Sequence, residues 1–211
     1  MADVTVLIPA YNEAGRIGRV VRAVHRDWQV VVVDDGSTDG TAAEASAAGA
    51  VVVRQPINRG YIDALKRGFR EADGEVVVTF DADDEHRSAD IARLVEPIRR
   101  DEYDLVLGAR ATIPRPSERI LNALARRRVD ISDTGTGFRA LTRDLALRLD
   151  LDTVCTCGTL VLEAAAKGAR IGEVPIETEF VAKPRGIAWG HAGQLGHVLR
   201  YLLATPALEP R

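Results

Sequence analysis

"VTFDADDEH" (residues 78–86) completes a β-forming run that begins at Val76, then turns into four carboxylates within five positions, Asp81, Asp83, Asp84 and Glu85. β-Branched and aromatic residues suit a pleated, buried surface, so here the chain passes from an apolar strand directly into acid. The same transition recurs on both sides of it. "VTVLIP" (4–9) opens into "AYNE", "QVVVVDDGS" (29–37) ends in acid, "AVVVRQ" (50–55) is a shorter run, and "YDLVLGAR" (103–110) ends in arginine. Between these runs, 13–26, a stretch from about Asp39, 60–72 and 88–100 read as helices, the first with Ile17, Val20, Val21 and Val24 on one face. Ser37 or Asp39 is placed to cap the second of them. Fully apolar strands that alternate with helices predict an α/β fold, a mostly parallel sheet with helices on both faces.

Composition narrows the class. The chain has 211 residues, 46% hydrophobic and 28% charged, the balance of a single globular domain over 1–211. A net charge of -3 argues against a nucleic-acid partner. Lys66, Lys167 and Lys183 are the only lysines, so the positive charge is arginine, whose planar fork suits phosphate. Cys155 and Cys157 are separated by one residue. That spacing strains a mutual disulfide, and two thiols alone make a poor metal site, so both read as small buried apolar residues. The start of the chain is acidic and enters a strand at once, unlike a signal peptide. No apolar run approaches the ~20 residues of a membrane span. The expected location is cytoplasmic, at most peripheral to a membrane.

Ligands of open α/β sheets bind outside the carboxyl ends of the strands. "PAYNE", "DDGSTD", "DADDE" and "GAR" all occupy such ends. Aspartates two apart on a chain leaving a strand direct carboxylates toward one hard cation, Mg²⁺ or Mn²⁺, with positions left for phosphate oxygens. An acidic turn that caps the next helix is the alternative. Asp81 follows the apolar run directly and therefore lies at the sheet edge.

Taken together, "IPAYNE", "VVVDDGSTDGT", "DADDEH", "GAR", "DTGTGFRAL" and "EVPIE" resemble the family 2 inverting glycosyltransferases of GT-A fold, and among them the dolichyl- or polyprenyl-phosphate sugar synthases. The similarity runs from residue 4 to about residue 190. It implies a nucleotide-binding half over about 1–110 and an acceptor half over about 111–211. The implied donor is a nucleoside-diphosphate sugar of GDP-mannose or UDP-glucose type; the implied acceptor is a polyprenyl phosphate. On this resemblance Pro9, Tyr11 and Glu13 form the nucleotide-binding turn, and Val33 and Asp35 contact the base beside Gly36. Asp81, Ala82 and Asp83 hold metal and diphosphate, and Glu85, where the lipid-phosphate enzymes have glutamine, adds charge beside the cation. Arg110, Arg119 and Arg139 match acceptor-side phosphate binders, and Asp133 an acid that orders the site. In "VAKPRGIAWGH", Arg185 and His191 match a donor-phosphate clamp, with Lys183 the substitute should a lysine be needed.

The implied chemistry is an in-line displacement that inverts the anomeric carbon. A lipid phosphate arrives anionic and needs no base; a hydroxyl acceptor on a saccharide or small molecule would need one, with Asp133 or Glu163 as candidates. A non-catalytic nucleotide-sugar binder or a receiver-like module are the alternatives of another class. A receiver needs a lysine after a later strand, and none lies between Lys66 and Lys167. Segments 111–119 and 183–191 read as loops. In "HAGQLGHVLRYLLATPAL" (191–208), Leu195, Val198, Leu199, Leu202 and Leu203 form one apolar stripe, with Gln194, His197, Arg200 and Tyr201 off its centre and Pro206 at its end. That stripe docks on the core, rests at a membrane interface or pairs with a membrane partner protein.

Overall fold

A computed structural model of the chain describes residues 3–113, 115–153, 155–178 and 187–204, the last with side chains over 194–203. The strands are β1 (Val4–Ala10), β2 (Gln29–Asp34), β3 (Val51–Arg54), β4 (Val76–Thr79), β5 (Leu105–Arg110), β6 (Arg139–Thr142) and β7 (Ile171–Ile176). The helices are α1 (Ile17–His25), α2 (Thr41–Ala47), α3 (Tyr61–Glu71), α4 (Ile91–Arg99), α5 (Pro116–Ala125), α6 (Arg143–Arg148), α7 (Thr159–Ala166) and α8 (Ile187–Ala204). One sheet runs in the order β3-β2-β1-β4-β6-β5-β7. Side chains alternate across it. Val6, Ile8, Val30, Val32 and Val78 meet α1, α2 and α4 on one face. Leu7, Val31, Val33, Val77 and Leu107 meet α3, α5, α6, α7 and α8 on the other. The α/β architecture and the five expected strands are present.

β5 does not lie beside β4: the four residues Arg139–Thr142 insert between them as β6, antiparallel to both, while every other pairing is parallel. A four-residue run that opens on arginine has no legible strand period, and its pairing comes from partners more than thirty residues away. Antiparallel insertion has a functional consequence. The amino end of β6 arrives beside the carboxyl ends of its neighbours, with Arg139 opposite Thr79 and Leu107.

Two expected loops contract. Proline at the first turn opens α5, which places Arg119 on a helix, and α8 already includes 187–191. The helix after Asp39 starts at Thr41, whose N–H donates to Asp39 Oδ1 at 3.0 Å, while Ser37 Oγ accepts from the Asn12 N–H instead.

The stripe on α8 also divides. Val198 and Leu202 are buried, whereas Leu195, Leu199 and Leu203 form an exposed row. Gln194, expected off the apolar face, is fully buried. Its Oε1 accepts from the Cys155 N–H at 3.2 Å and lies 2.8 Å from Thr153 Oγ1. Its Nε2 donates to the carbonyls of Cys155 and Cys157 and to Thr159 Oγ1. An amide so completely paired is buried at little cost, and it sets the rotation of the helix. The cysteines it holds are half-buried rather than core residues, with the Cys157 N–H donating to Cys155 Sγ at 3.4 Å.

Gln194→Ala leaves several buried groups unpaired and is expected to cost about 1–3 kcal/mol in denaturant unfolding. Leu203→Glu, on the exposed row, is expected to stay within about 0.5 kcal/mol of wild type.

Candidate functional site

The first two strand ends are stitched together by side-chain oxygens. A chain entering a helix has backbone N–H groups without helical partners. Here the N–H groups of Asn12, Glu13, Ala14 and Gly15 donate to Ser37 Oγ, Thr41 Oγ1, Asp39 Oδ2 and Glu44 Oε2, at 2.9, 2.8, 3.2 and 2.8 Å. Asn12 returns the contact by accepting from the Thr38 N–H at 3.0 Å. Pro9 is half-buried on this turn and Tyr11 is 46% exposed, an open aromatic face. Burial raises the Glu13 pKa, Arg16 opposes that effect and Asp83 adds to it.

Asp35 is spent on the framework. Its carboxylate accepts from Gln55 Nε2 and from the N–H groups of Arg59 and Gly60, at 2.9, 2.8 and 2.7 Å, and so fixes the approach to α3. Gly36 has φ +74°, and a Cβ there would lie 2.5 Å from the Ile57 carbonyl carbon, so this glycine admits the 57–58 backbone. Val33 is buried in the sheet, and its side chain serves the core.

The acidic turn folds back on itself. Asp83 Oδ1 accepts from the Glu85 N–H at 3.2 Å, Asp84 has φ +65°, and Ala82 is buried beneath them. This geometry returns Glu85 and His86 toward Asp81, so that ligand atoms of Asp81, Glu85 and His86 all lie within 4.8 Å of one another. Of the three residues read as metal ligands, Asp81 and Glu85 are thus brought together; Asp83 stands outside the group. His86 was missed. Its signal lay within the quoted stretch, but only the fold shows it wedged between Phe80 and Phe138, ring centroids 5.9 and 5.1 Å away. Gly137 completes the cradle, since a Cβ there would meet Asp81 Oδ2 at 2.2 Å.

The arginines divide by environment. Arg110, 8% exposed, donates from Nε to Asp133 Oδ2 at 2.7 Å and from Nη2 to Asp133 Oδ1 and Glu118 Oε2, both at 3.0 Å. Its Nη1 lies 4.0 Å from Glu85 Oε1. Burial works against its charge, but the Asp133 hydrogen bonds, with Glu118 and Glu85, outweigh it and raise its pKa. The residue read as a phosphate binder therefore turns its guanidinium toward carboxylates of its own chain. Arg139 is fully buried, and its Nη2 donates to Thr156 Oγ1 at 2.9 Å. The nearby Tyr61 hydroxyl has a raised pKa, through burial first and Asp81 second, with Arg139 opposing. Arg119 is exposed on α5 and donates to the Ile113 carbonyl at 3.3 Å. Arg185, Lys183 and the His191 side chain lie outside the described residues.

Removing one member of a buried ion pair strands the other, so Arg110→Met is expected to cost about 3–5 kcal/mol in denaturant unfolding. Arg119→Ala is expected to change stability by no more than about 0.5 kcal/mol.

Comparison with known proteins gives this edge a lineage. The model of "Glycosyl transferase family 2" matches residues 5–164. The chain is 29% identical over 221 residues to a UDP-N-acetylglucosamine–dolichyl-phosphate N-acetylglucosaminyltransferase of Methanococcus voltae, covering 85% of this chain and 88% of that one. It is 29% identical over 206 residues to a dolichol-phosphate mannosyltransferase of Pyrococcus furiosus, covering 87% of this chain and 58% of that one. Glucosyl-3-phosphoglycerate synthase of Mycobacterium tuberculosis, crystallised with Mn²⁺, UDP and glucosyl-3-phosphoglycerate, shares the fold with a TM-score of 0.80 at 22% identity, over 97% of this chain and 81% of that one. With the family model matching most of its length and the strand-end motifs gathered on one edge of the sheet, this chain belongs to glycosyl transferase family 2.

Proposed function

We propose that this glycosyltransferase moves a hexose, with inversion, from a nucleoside-diphosphate sugar of GDP-mannose or UDP-glucose type to a polyprenyl phosphate. The observation that carries the acceptor is the state of the two carboxylates placed to act as a base. Asp133 is bound by Arg110 through both oxygens. Glu163 accepts from the N–H groups of Asp150 and Leu151 at 2.6 and 3.1 Å and from the Tyr201 hydroxyl at 3.0 Å. A hydroxyl acceptor has to lose a proton to such a group; a phosphate acceptor does not. The dolichyl-phosphate names of two relatives support the same reading.

In this reading Tyr11 lies on the base and Glu13 reaches base or ribose. Asp81, with Glu85 and Asp83 on the same turn, holds a divalent cation; the donor atoms that Asp81 and Glu85 bring together with His86 fit one, and Gly137 leaves room for the Asp81 carboxylate. Mg²⁺ or Mn²⁺ bound there neutralises charge on the leaving diphosphate. Arg119 is the exposed cation for the acceptor phosphate, Arg139 contributes buried positive charge near Asp81, and Arg185 with His191 or Lys183 clamps the donor. No helix among the described residues is long and apolar enough to cross a membrane. The lipid head group is then met at the bilayer surface, where the Leu195, Leu199 and Leu203 row provides a peripheral contact.

Release of nucleoside diphosphate is expected to require both divalent metal and polyprenyl phosphate. Chelation or Asp83→Asn should lower it about 100-fold or more, within the several kcal/mol a metal supplies. Release sustained by a saccharide hydroxyl alone would redirect the acceptor, and full activity in chelator would remove the metal from the mechanism. Flotation on liposomes containing polyprenyl phosphate should fall in Leu199→Glu and Leu203→Glu variants whose unfolding temperature is unchanged; undiminished flotation would clear the helix of this role.

A further inference from the structure

We propose that His86 is a nitrogen ligand of the cation site, and that the site therefore favours a first-row transition-metal ion over Mg²⁺. The proposal deepens the transferase reading and rests on it only in assigning the cation to the donor. Three observations carry it.

The imidazole is 7% exposed, and neither nitrogen has a hydrogen-bond partner among the described residues. A buried polar group left unpaired is unfavourable, and native structures rarely tolerate one without a reason. Its Nε2 lies 3.6 Å from Asp81 Oδ2, too long for a hydrogen bond. Two groups sharing one ion stand at such a distance. Bonds of roughly 2.0–2.3 Å to an octahedral cation put neighbouring ligands about 3 Å apart and opposite ones about 4–4.5 Å apart. Asp81, Glu85 and His86 each place a ligand atom within 4.8 Å of the others, close to that spacing.

The ring is also held in place before any ion arrives. Phe80 and Phe138 flank it, and a backbone bridge pairs His86 with Thr178. Imidazole nitrogen suits the softer transition metals, whereas Mg²⁺ is served by oxygen. A nitrogen here shifts selectivity away from Mg²⁺.

Mn²⁺ is the probe, because its electron spin reports a directly bound ¹⁴N. Wild-type protein titrated with Mn²⁺ and UDP is expected to show histidine ¹⁴N coupling in pulsed electron paramagnetic resonance. In His86→Gln that coupling should vanish and Mn²⁺ affinity should fall at least tenfold, while Mg²⁺ affinity, measured by competition, changes less than threefold. Replacing the other three histidines, His25, His191 and His197, by glutamine should preserve the coupling, which keeps the assignment testable should His86→Gln fail to fold. Absence of Mn²⁺ binding, absence of coupling, coupling that survives in His86→Gln or is lost in the triple variant, or equal losses for both metals would overturn the proposal. Sugar transfer is read separately. Transfer with a cation that shows no nitrogen coupling sinks the ligand assignment and leaves the transferase standing; coupling without transfer to any acceptor does the reverse.

Discussion

The buried pair of Arg110 and Asp133 is the contact on which the second half of the chain turns. It joins the carboxyl end of β5 to the segment that leads into β6, and Glu118 extends it to α5. Charges removed from water are tolerable only with such complete pairing. Asp133 also accepts from the Gly135 N–H at 3.1 Å, and Asn122 Oδ1 from the Thr134 N–H at 3.0 Å, so polar bonds specify the whole 133–136 turn. A different placement of that turn would strand several charges at once. The pair thus acts as a register device, and it consumes an arginine that would otherwise be available to phosphate.

From that turn the chain enters β6 against the general direction of the sheet. The residues just before β6 therefore arrive where β4 releases the acidic turn. Thr79 Oγ1 donates to the Gly137 carbonyl at 2.7 Å, and the missing side chain of Gly137 leaves room for the Asp81 carboxylate. Phe138 reaches the other side of the same turn and packs on His86. One short antiparallel strand thus supplies the space for one proposed ligand and the wall that holds another. Catalytic electrostatics depends on such groups being fixed beforehand rather than ordered during reaction.

The first two strand ends follow a different logic. There the β1–α1 turn borrows four oxygens from the segment around α2, and Asp35 borrows two N–H groups from the start of α3. Residues that look like nucleotide contacts in a motif are in good part the struts of the cradle, and open Tyr11 stands over it. Gln194 does comparable work at the far end. By binding Cys155, Cys157 and Thr159 it turns two aliphatic residues of α8 inward and leaves three leucines outside.

How much of this was legible in the sequence follows from the range of the forces. Strands β1 to β5 and the helices between them were readable because apolar periodicity is local and the layers need only one buried face per element. Their carboxyl ends, with Asp81, Asp83, Arg110 and Asp35, were readable for the same reason: a polar cluster that follows an apolar run must lie at the sheet edge. Tertiary structure alone decided what each of those groups faces. β6 has no period to read, and its place comes from hydrogen bonds to two distant strands. Arg110 turned to carboxylates because Glu118 on α5 and the more distant Asp133 met it in the interior. His86 joined Asp81 and Glu85 because a left-handed residue at Asp84 and the aromatic wall of Phe138 returned it to the site. Composition and spacing place a side chain on an edge; burial, and the need to pair every charge taken out of water, choose its partner.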